Sequence, residues 1–260
     1  MPKMAANLSM LFTEMDFMAR FEAAAKAGFK GVEYLFPYDF EAEAIKTELD
    51  KFGLTQVLFN LPAGDFANGE RGIACLPERV EEFRQGVDKA TEYAKVLGCK
   101  QVNCLSGLVP ADLSMDVAQE TLVGNLKYAA DLLEQADILL VVEAINTQDM
   151  PGFCVSTTKQ ALRIIEATGS SNIRYQYDIY HMQIMEGNIA RTLTDHKAQI
   201  AHVQLADNPG RHEPGTGELN YGFLFKHLDN IGYQGWVGCE YVPANGTEAG
   251  LGWLKDHNLI

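Results

Sequence analysis

Short apolar runs alternate along the chain with longer segments in which apolar residues recur every three or four positions. The short runs are typical of buried strands, and the longer segments are typical of amphipathic helices. Strand-like runs lie near residues 4–10, 29–35, 53–59, 99–105, 137–143, 172–178, 199–205 and 234–240. Helical spacing occurs over residues 15–27, 39–50, 78–97, 115–135, 155–168, 219–230 and near 246–256.

This alternation predicts an α/β protein made of parallel βαβ units, and eight such units in about 250 residues match a closed (β/α)8 TIM barrel. We therefore expect one TIM-barrel domain over residues 1–260. Gly28, Gly98 and Gly232 each follow a helical segment, where a left-handed residue commonly ends a helix. An open, doubly wound sheet is the rival fold, but no GxGxxG follows the first strand to indicate a dinucleotide site.

Four apolar runs in the second half of the chain end in an acid or an amide. They are ILLVVE to Glu143, IRYQYD to Asp178, IAHVQ to Gln204 and GWVGCE to Glu240. In a parallel barrel these side chains emerge at the C-terminal edge, where barrel enzymes place their active sites. Converging carboxylates raise each other's pKa unless a cation or shared protons offset the repulsion. The oxygen-rich set therefore predicts a divalent cation, Mg²⁺ or Mn²⁺.

Composition and charge narrow the class of partner. The chain has 21 Lys and Arg against 35 Asp and Glu, a net charge of -14, which argues against a nucleic-acid surface. The N-terminal segment MPKMAANLSM lacks the apolar stretch of a secretory signal, and no run of about 18 apolar residues could span a membrane. We expect a soluble, cytoplasmic protein with a small-molecule partner and reduced core thiols. A homo-oligomer is compatible with this fold class, but no sequence feature specifies one.

Two long loops carry arginines. The segment from 60 to 76 has no periodic pattern and includes Arg71, so it is a candidate lid that directs a guanidinium at an anion. The alternative is a solvated loop whose arginine serves solubility. The loop after Gln204 contains Arg211 and several glycines, but the GxxxxGK[ST] pattern of a phosphate-binding loop is absent.

Several long motifs resemble one enzyme family. The segments NLPAGDFANGERGIAC, YDIYHMQIMEGN, ADNPGRHEPGTGELNY and GWVGCEY are similar to those of the hydroxypyruvate isomerase family, within the xylose-isomerase-like sugar isomerase and epimerase superfamily. The resemblance covers essentially the whole chain and implies a TIM barrel. It also implies interconversion of hydroxypyruvate, a three-carbon 2-oxo acid, and tartronate semialdehyde through an enediol.

The resemblance assigns roles to individual residues. Glu143 and Glu240 match the pair that donates and accepts protons, and Glu143, Asp178, Gln204 and Glu240 match the metal-site positions. Related ketose epimerases often have histidine where this chain has Gln204. Because an amide oxygen is a weaker ligand than an imidazole, we expect weak metal binding or a metal that is dispensable for turnover.

Three of the remaining candidates are expected to bind substrate. His181 and Arg211 match substrate-binding positions of related epimerases, and His181 could donate a neutral hydrogen bond to the reacting carbonyl. The substrate carboxylate needs a guanidinium partner, which either Arg211 or Arg71 can supply. Glu33 ends the second strand-like run and either faces the pocket or holds a loop. His202, inside a strand, is expected to be a hydrogen-bonded core histidine.

Other functions remain open at this point. An isomerase of four-carbon 2-oxo acids (2-oxo-tetronate) would use the same acid/base pair in a longer pocket, and a ketose 3-epimerase would use the same fold. An apurinic endonuclease would need more histidine ligands and a basic DNA-binding face. From a different class, a non-catalytic barrel that binds small acids would keep the pocket without turnover, which the pair Glu143 and Glu240 argues against.

Overall fold

The eight apolar runs form parallel strands that close into a barrel in the order in which they occur along the chain. The computed structural model describes residues 1–260. Its strands are β1 (Lys3–Asn7), β2 (Gly31–Glu33), β3 (Thr55–Asn60), β4 (Gln101–Cys104), β5 (Leu139–Glu143), β6 (Ile173–Asp178), β7 (Ile200–Leu205) and β8 (Trp236–Cys239). Because β8 pairs with β1 and helices separate the strands, the predicted (β/α)8 TIM barrel is confirmed.

Nine α-helices accompany the strands. They are α1 (Phe17–Lys26), α2 (Ala42–Phe52), α3 (Val80–Leu97), α4 (Met115–Glu134), α5 (Thr158–Thr168), α6 (Ile179–Met185), α7 (Ile189–Asp195), α8 (Tyr221–Asn230) and α9 (Gly252–Asp256). Each predicted helical segment contains a helix, and the glycines expected to follow three of them have φ of 101°, 67° and 69°. None of the helices combines the length and the apolar character needed to span a bilayer.

Two regions differ from the predicted pattern. The segment between β6 and β7 contains two short helices, α6 and α7, for which no helical range was predicted. They are separated near Asn188, which has a positive φ of 53° and so ends a continuous helical pattern. The predicted helix at 246–256 is shorter than expected. Gly246 has a φ of 88°, and a 3₁₀ turn over Glu248–Leu251 precedes α9.

Successive residues of each strand point to opposite faces of the sheet. One set of side chains therefore packs against the helices, and the other set fills the inside of the barrel. Along β5, Leu140 and Val142 belong to the main core shared with the helices, whereas Val141 belongs to a small apolar cluster with residues of β1 and β3. Glu143 ends the same row as Val141. Inside the barrel, an apolar layer that includes Val141 is followed, toward the C-terminal ends of the strands, by a polar layer that includes Glu143. All five cysteines are free and buried, as expected.

Candidate active site

The four polar residues predicted at strand ends do lie at one edge of the barrel. Glu143 and Asp178 are the last residues of β5 and β6, Gln204 is in β7, and Glu240 directly follows β8. The strand register brings them to one level, since Asp178 pairs with Gln204 and Gln204 pairs with Gly238. All four are buried. The position of these residues follows directly from the parallel arrangement of the strands.

The three carboxylates of this set converge with one histidine. Ligand atoms of Glu143, Asp178, His181 and Glu240 all lie within 4.8 Å of one another. His181 Nε2 is 3.6 Å from Asp178 Oδ2 and 3.8 Å from Glu143 Oε1. Asp178 also caps α6, because its Oδ1 accepts from the backbone N–H of Tyr180 at 2.7 Å. This cap fixes His181, in the first turn of α6, against the carboxylates.

Two oxygens of the cluster are left without a hydrogen-bond partner. They are Glu143 Oε1 and Asp178 Oδ2, both fully enclosed. A buried carboxylate oxygen without a donor is costly, so such atoms indicate a site that a ligand completes. Both oxygens face His181 Nε2, and both residues belong to the group that could hold a metal ion.

Burial and mutual repulsion change the protonation of these acids. Burial raises the pKa of Glu143 well above its ordinary value, and Glu240 and Asp178 add to the shift. Burial raises the pKa of Glu240 to about 8 although Arg211 opposes it, and that of Asp178 to about 6 against the same opposition. Acid/base catalysts work best when their pKa lies near the working pH, and the pKa of about 8 places Glu240 in that range. The raised pKa of Glu143 favours its protonated form, which could act as a proton donor.

Gln204 is held in place by hydrogen bonds to neighbouring side chains. Its Nε2 donates to Glu33 Oε1 at 2.8 Å and to Glu240 Oε1 at 3.3 Å, and its Oε1 accepts from Gln176 Nε2 at 2.6 Å. Gln176 Nε2 also donates to Glu143 Oε2 at 3.1 Å. The carbonyl oxygen of Gln204 therefore keeps one lone pair for a further partner.

Glu33 faces the pocket, one of the two placements considered for it. Its carboxylate accepts from Asn7 Nδ2 at 3.0 Å and Gln204 Nε2 at 2.8 Å and lies 2.7 Å from His202 Nε2. His202 is a hydrogen-bonded core histidine. Gly238 lies against the Glu33 carboxylate, which would overlap any side-chain carbon at that position. Glu33 thus anchors two amides that both reach Glu240.

Arg211 lies beside the catalytic candidates, on the loop after β7. Its Nη2 is 2.5 Å from Glu240 Oε2 and 4.0 Å from Asp178 Oδ2, and its guanidinium lies over the Tyr180 ring at 5.0 Å. Burial lowers the pKa of Arg211, but Glu240 and the other acids outweigh it and raise the value overall. The loop is folded around buried Asp207, which accepts from the backbone N–H groups of Asn208, Gly215, Gly217 and Leu219.

Arg71 lies on the loop after β3 and also lines the cavity. Its Nη1 donates to the backbone oxygens of Phe66 at 2.9 Å and Glu70 at 2.8 Å, and its guanidinium lies 4.1 Å from the Phe66 ring centroid. The nearby carboxylate of Glu70 pairs with Arg79 instead. Arg71 is thus held in place by neutral groups, and its charge is not paired with an acid.

The cavity that these residues enclose has a volume of about 260 Å³. Drug-sized ligands occupy cavities of about 300–1,000 Å³, so this one suits a smaller molecule. Met10, Phe66 and Met150 contribute apolar walls, and both candidate arginines line the same space as Glu143, His181 and Glu240. The geometry therefore joins two buried carboxyl groups and two cations in one small cavity.

Some polar residues of the site were not singled out from the sequence. Asn7 and Gln176 line the cavity, where Asn7 donates to Glu240 and Gln176 donates to Glu143. Asn7 ends β1 and could have been found by the same criterion as Glu143. Gln176 lies two residues before Asp178 on the same inward row, and Asn146 follows β5 in the loop, where neither charge nor pattern marks it.

Comparisons with known proteins all point to one family. Residues 21–257 match the family described as xylose isomerase-like TIM barrel. The chain is 56% identical to hydroxypyruvate isomerase of Escherichia coli over 257 residues, which covers 99% of this chain and all of that one. It is 46% identical to 2-oxo-tetronate isomerase of Cupriavidus necator, with 99% of each chain covered.

Two solved structures share the fold. A crystal structure described as an AP endonuclease, family 2, from Brucella melitensis has a TM-score of 0.96 and 46% identity, covering 98% of this chain and 99% of that one. A 3-keto-D-glucoside 4-epimerase from E. coli has a TM-score of 0.80 at 21% identity, covering 98% of this chain and all of that one. The second likeness concerns the fold alone.

Proposed function

The chain belongs to the xylose isomerase-like TIM barrel family, and on that premise we propose that it is a hydroxypyruvate isomerase. The reaction converts hydroxypyruvate to tartronate semialdehyde. A proton leaves C3, an enediol forms, and a proton returns at C2, while a hydroxyl proton moves from the C3 oxygen to the C2 oxygen. The identity of 56% to a relative of that name supports this substrate.

One observation carries the proposal: Glu143 and Glu240, from strands at different positions around the barrel, meet in one small cavity with raised pKa values. Transfer of a proton from one carbon to the next needs a base for the first carbon and an acid for the second. The pKa of Glu240, about 8, lies close enough to neutrality for its carboxylate to act as the base, and the more strongly raised pKa of Glu143 keeps a proton available for the acid step. The two side chains therefore supply both halves of the reaction.

Arg211 distinguishes the two carboxyl groups. Its Nη2 is 2.5 Å from Glu240 Oε2, whereas Glu143 has no cation at hydrogen-bond distance. A charge-assisted hydrogen bond favours the ionised acid. We infer that Glu240 removes the C3 proton as the base and that Glu143 delivers the proton to C2.

Arg71 is the better candidate of the two arginines for the substrate carboxylate. Arg211 is already paired with Glu240, whereas Arg71 lines the cavity with no acid partner. A guanidinium binds a carboxylate through two parallel hydrogen bonds and so fixes its orientation. The 60–76 loop then contributes the wall that recognises the acid.

The carboxylate cluster fits a divalent cation. Glu143 Oε1 and Asp178 Oδ2 have no hydrogen-bond partner, and together with Glu240 and the carbonyl of Gln204 they form an all-oxygen donor set that suits Mg²⁺ or Mn²⁺. Glu143, Asp178, Gln204 and Glu240 would hold the ion. When bound, it would act as a Lewis acid that polarises the substrate carbonyl.

Alternatives on the same site differ in substrate. A four-carbon 2-oxo acid is the second candidate, because the relatives at 46% identity include 2-oxo-tetronate isomerases. A ketose 3-epimerase would not need the unpaired Arg71. A DNA-cleaving function, as the description of the Brucella structure implies for that protein, is disfavoured by the net charge of -14 and by a cluster that contains a single histidine.

The test is turnover of hydroxypyruvate beside a four-carbon 2-oxo acid and a free ketose. The enzyme is treated with a chelator and then resupplied with Mg²⁺ or Mn²⁺. Preferred conversion of hydroxypyruvate supports the proposal, and its response to the ions measures the metal requirement. Activity confined to one of the other two compounds would support the enediol chemistry but show that hydroxypyruvate is not the substrate. No turnover of any of the three would leave a small-acid-binding barrel.

A further inference from the structure

The orientation of the Asn146 side chain is determined by its neighbours. Asn146 follows β5 and is fully buried. Its Oδ1 accepts from the backbone N–H groups of Gln148 at 3.0 Å and Asp149 at 2.8 Å. Because only an oxygen can accept these two bonds, the amide nitrogen must point the other way.

That nitrogen faces His181. Asn146 Nδ2 is 2.7 Å from His181 Nδ1, and it also donates to Asp149 Oδ2 at 2.9 Å. The second bond is supported by Tyr180, whose hydroxyl donates to the same Asp149 oxygen at 2.9 Å. An amide nitrogen donates and does not accept, so His181 Nδ1 must be the acceptor and carries no proton.

We propose that Asn146 is a positioning residue that fixes His181 in the tautomer with the proton on Nε2, so that the ring presents an N–H donor to the substrate. His181 Nε2 lies 3.8 Å from Glu143 Oε1 and 3.6 Å from Asp178 Oδ2, at the wall of the cavity. A protonated ring nitrogen cannot ligate a metal ion. The carboxylates are therefore the metal or proton-transfer groups, and His181 is a hydrogen-bond donor.

This inference rests on the proposed function for its chemical meaning. During enediol formation the carbonyl oxygen gains negative charge, and a preorganised neutral donor stabilises that charge without transferring its own proton. Asn146 does not line the cavity, so it acts only through His181. The resting tautomer is a property of the protein alone and is measurable without any substrate.

The first experiment is nitrogen NMR of protein labelled with ¹⁵N-histidine, with the His181 signals assigned by their loss in His181→Gln. We expect Nε2 protonated and Nδ1 unprotonated, before and after saturation with Mg²⁺. A proton on Nδ1, a doubly protonated ring, or loss of the Nε2 proton when Mg²⁺ binds would overturn the proposal. Failure of the protein to isomerise hydroxypyruvate would instead overturn the proposed function and leave this result standing.

The second experiment reverses the tautomer. In Asn146→Asp combined with Asp149→Asn, residue 146 becomes an acceptor toward His181 Nδ1 and residue 149 can donate to it. We expect the proton to move to Nδ1 and kcat to fall by about 100-fold or more with little change in KM, as on removal of one oxyanion donor. Asp149→Asn alone is the control and should keep the proton on Nε2. A double variant that keeps the Nε2 proton, or loses it without loss of kcat, contradicts the proposal.

Discussion

The guanidinium of Arg211 is paired with the carboxylate of Glu240, with Nη2 at 2.5 Å from Oε2, in the same cavity that Arg71 lines without an acid partner. The two arginines thus differ in their surroundings although both line the same cavity. Arg211 is paired with a buried acid, whereas Arg71 is hydrogen-bonded only to backbone oxygens. This difference leads to separate expectations for the two side chains.

Replacement of Arg71 should weaken substrate binding. A hydrogen bond to a charged group contributes about 1.5–3 kcal/mol, so Arg71→Ala should raise KM for hydroxypyruvate by roughly 10- to 100-fold with a smaller effect on kcat. Steady-state kinetics measure this. Arg84→Ala is the control, because Arg84 is exposed and lies over Tyr128 away from the cavity. An unchanged KM in Arg71→Ala would show that another group binds the substrate carboxylate.

Replacement of Arg211 should act on the chemical step. Without its guanidinium, the pKa of Glu240 should rise further, because burial already raises it to about 8 against the opposing charge of Arg211. In Arg211→Ala, kcat at neutral pH should therefore fall, and the rising limb of the pH profile should move to higher pH. The pH dependence of kcat tests this. A profile that keeps its wild-type position would show that Arg211 does not control this ionisation.

The acid/base pair should be separable by isotope exchange. Glu143→Gln and Glu240→Gln should each lower kcat by about 100- to 10,000-fold. If Glu240 is the base, Glu143→Gln still exchanges the C3 hydrogens of hydroxypyruvate with deuterium from solvent, whereas Glu240→Gln does not. Proton NMR in D₂O follows the exchange, and Glu218→Gln, at an exposed position, is the matched control. If only Glu240→Gln still exchanged the C3 hydrogens, Glu143 would be the base and Glu240 the acid.

Stability without metal should fall as the pH rises. Glu240 has a folded pKa of about 8 against an ordinary value of 4.5, and Asp178 has about 6 against 3.8. The folded protein therefore keeps protons that the unfolded chain releases. This contribution to stability is present below pH 4 and is lost progressively up to about pH 8.

Thermal unfolding in chelator and in Mg²⁺ checks this dependence. We expect Tm in chelator to fall from pH 6 to pH 8.5, and the gain on adding Mg²⁺ to grow over the same interval, because an ion offsets the repulsion between ionised acids. Glu240→Gln should reduce the pH dependence in chelator. A pH-independent gain from Mg²⁺ would mean that the ion stabilises the protein elsewhere.

Substitution of Gly238 tests the Glu33 network, and substitution of Gly124 is the comparison. A side-chain carbon at Gly238 would overlap the Glu33 carboxylate, so Gly238→Ala should destabilise the protein by roughly 1–3 kcal/mol and lower activity, since Glu33 anchors the amides that reach Glu240. Gly124 lies within α4 with open space around it, so Gly124→Ala should stabilise by up to about 1 kcal/mol. Urea unfolding of both variants measures the difference. Equal stability of the two would mean that Glu33 does not need its present position.

The residues at the strand ends could be found from sequence because two regular features coincide there. Parallel strands bring their carboxyl ends together, and an acid that follows a buried apolar run stands out in composition. Glu143, Asp178 and Glu240 were located in this way, and the closed barrel followed from the alternation of strands and helices. Both are local patterns repeated along the chain.

The contacts that hold those acids in place were not accessible in the same way. Glu33 and His202 are 169 residues apart in sequence, and only the closed barrel brings them to 2.7 Å. The roles of Asn146 and Gln176 depend on which way an amide group points, which the surrounding hydrogen bonds decide. The pairing of Arg211 with Glu240 depends on the fold of a loop organised by Asp207, and loop geometry has no periodic signal.

The placement of the acids at strand ends and of Arg71 on a loop has an evolutionary consequence. Glu143 and Glu240 lie at the ends of barrel strands, whereas Arg71 belongs to a loop that can change in length and sequence without moving a strand. A lineage could therefore exchange one short acid for another by rebuilding that loop while inheriting the proton-transfer apparatus intact. Diversification of such enzymes would then leave its substitutions in the wall of the cavity.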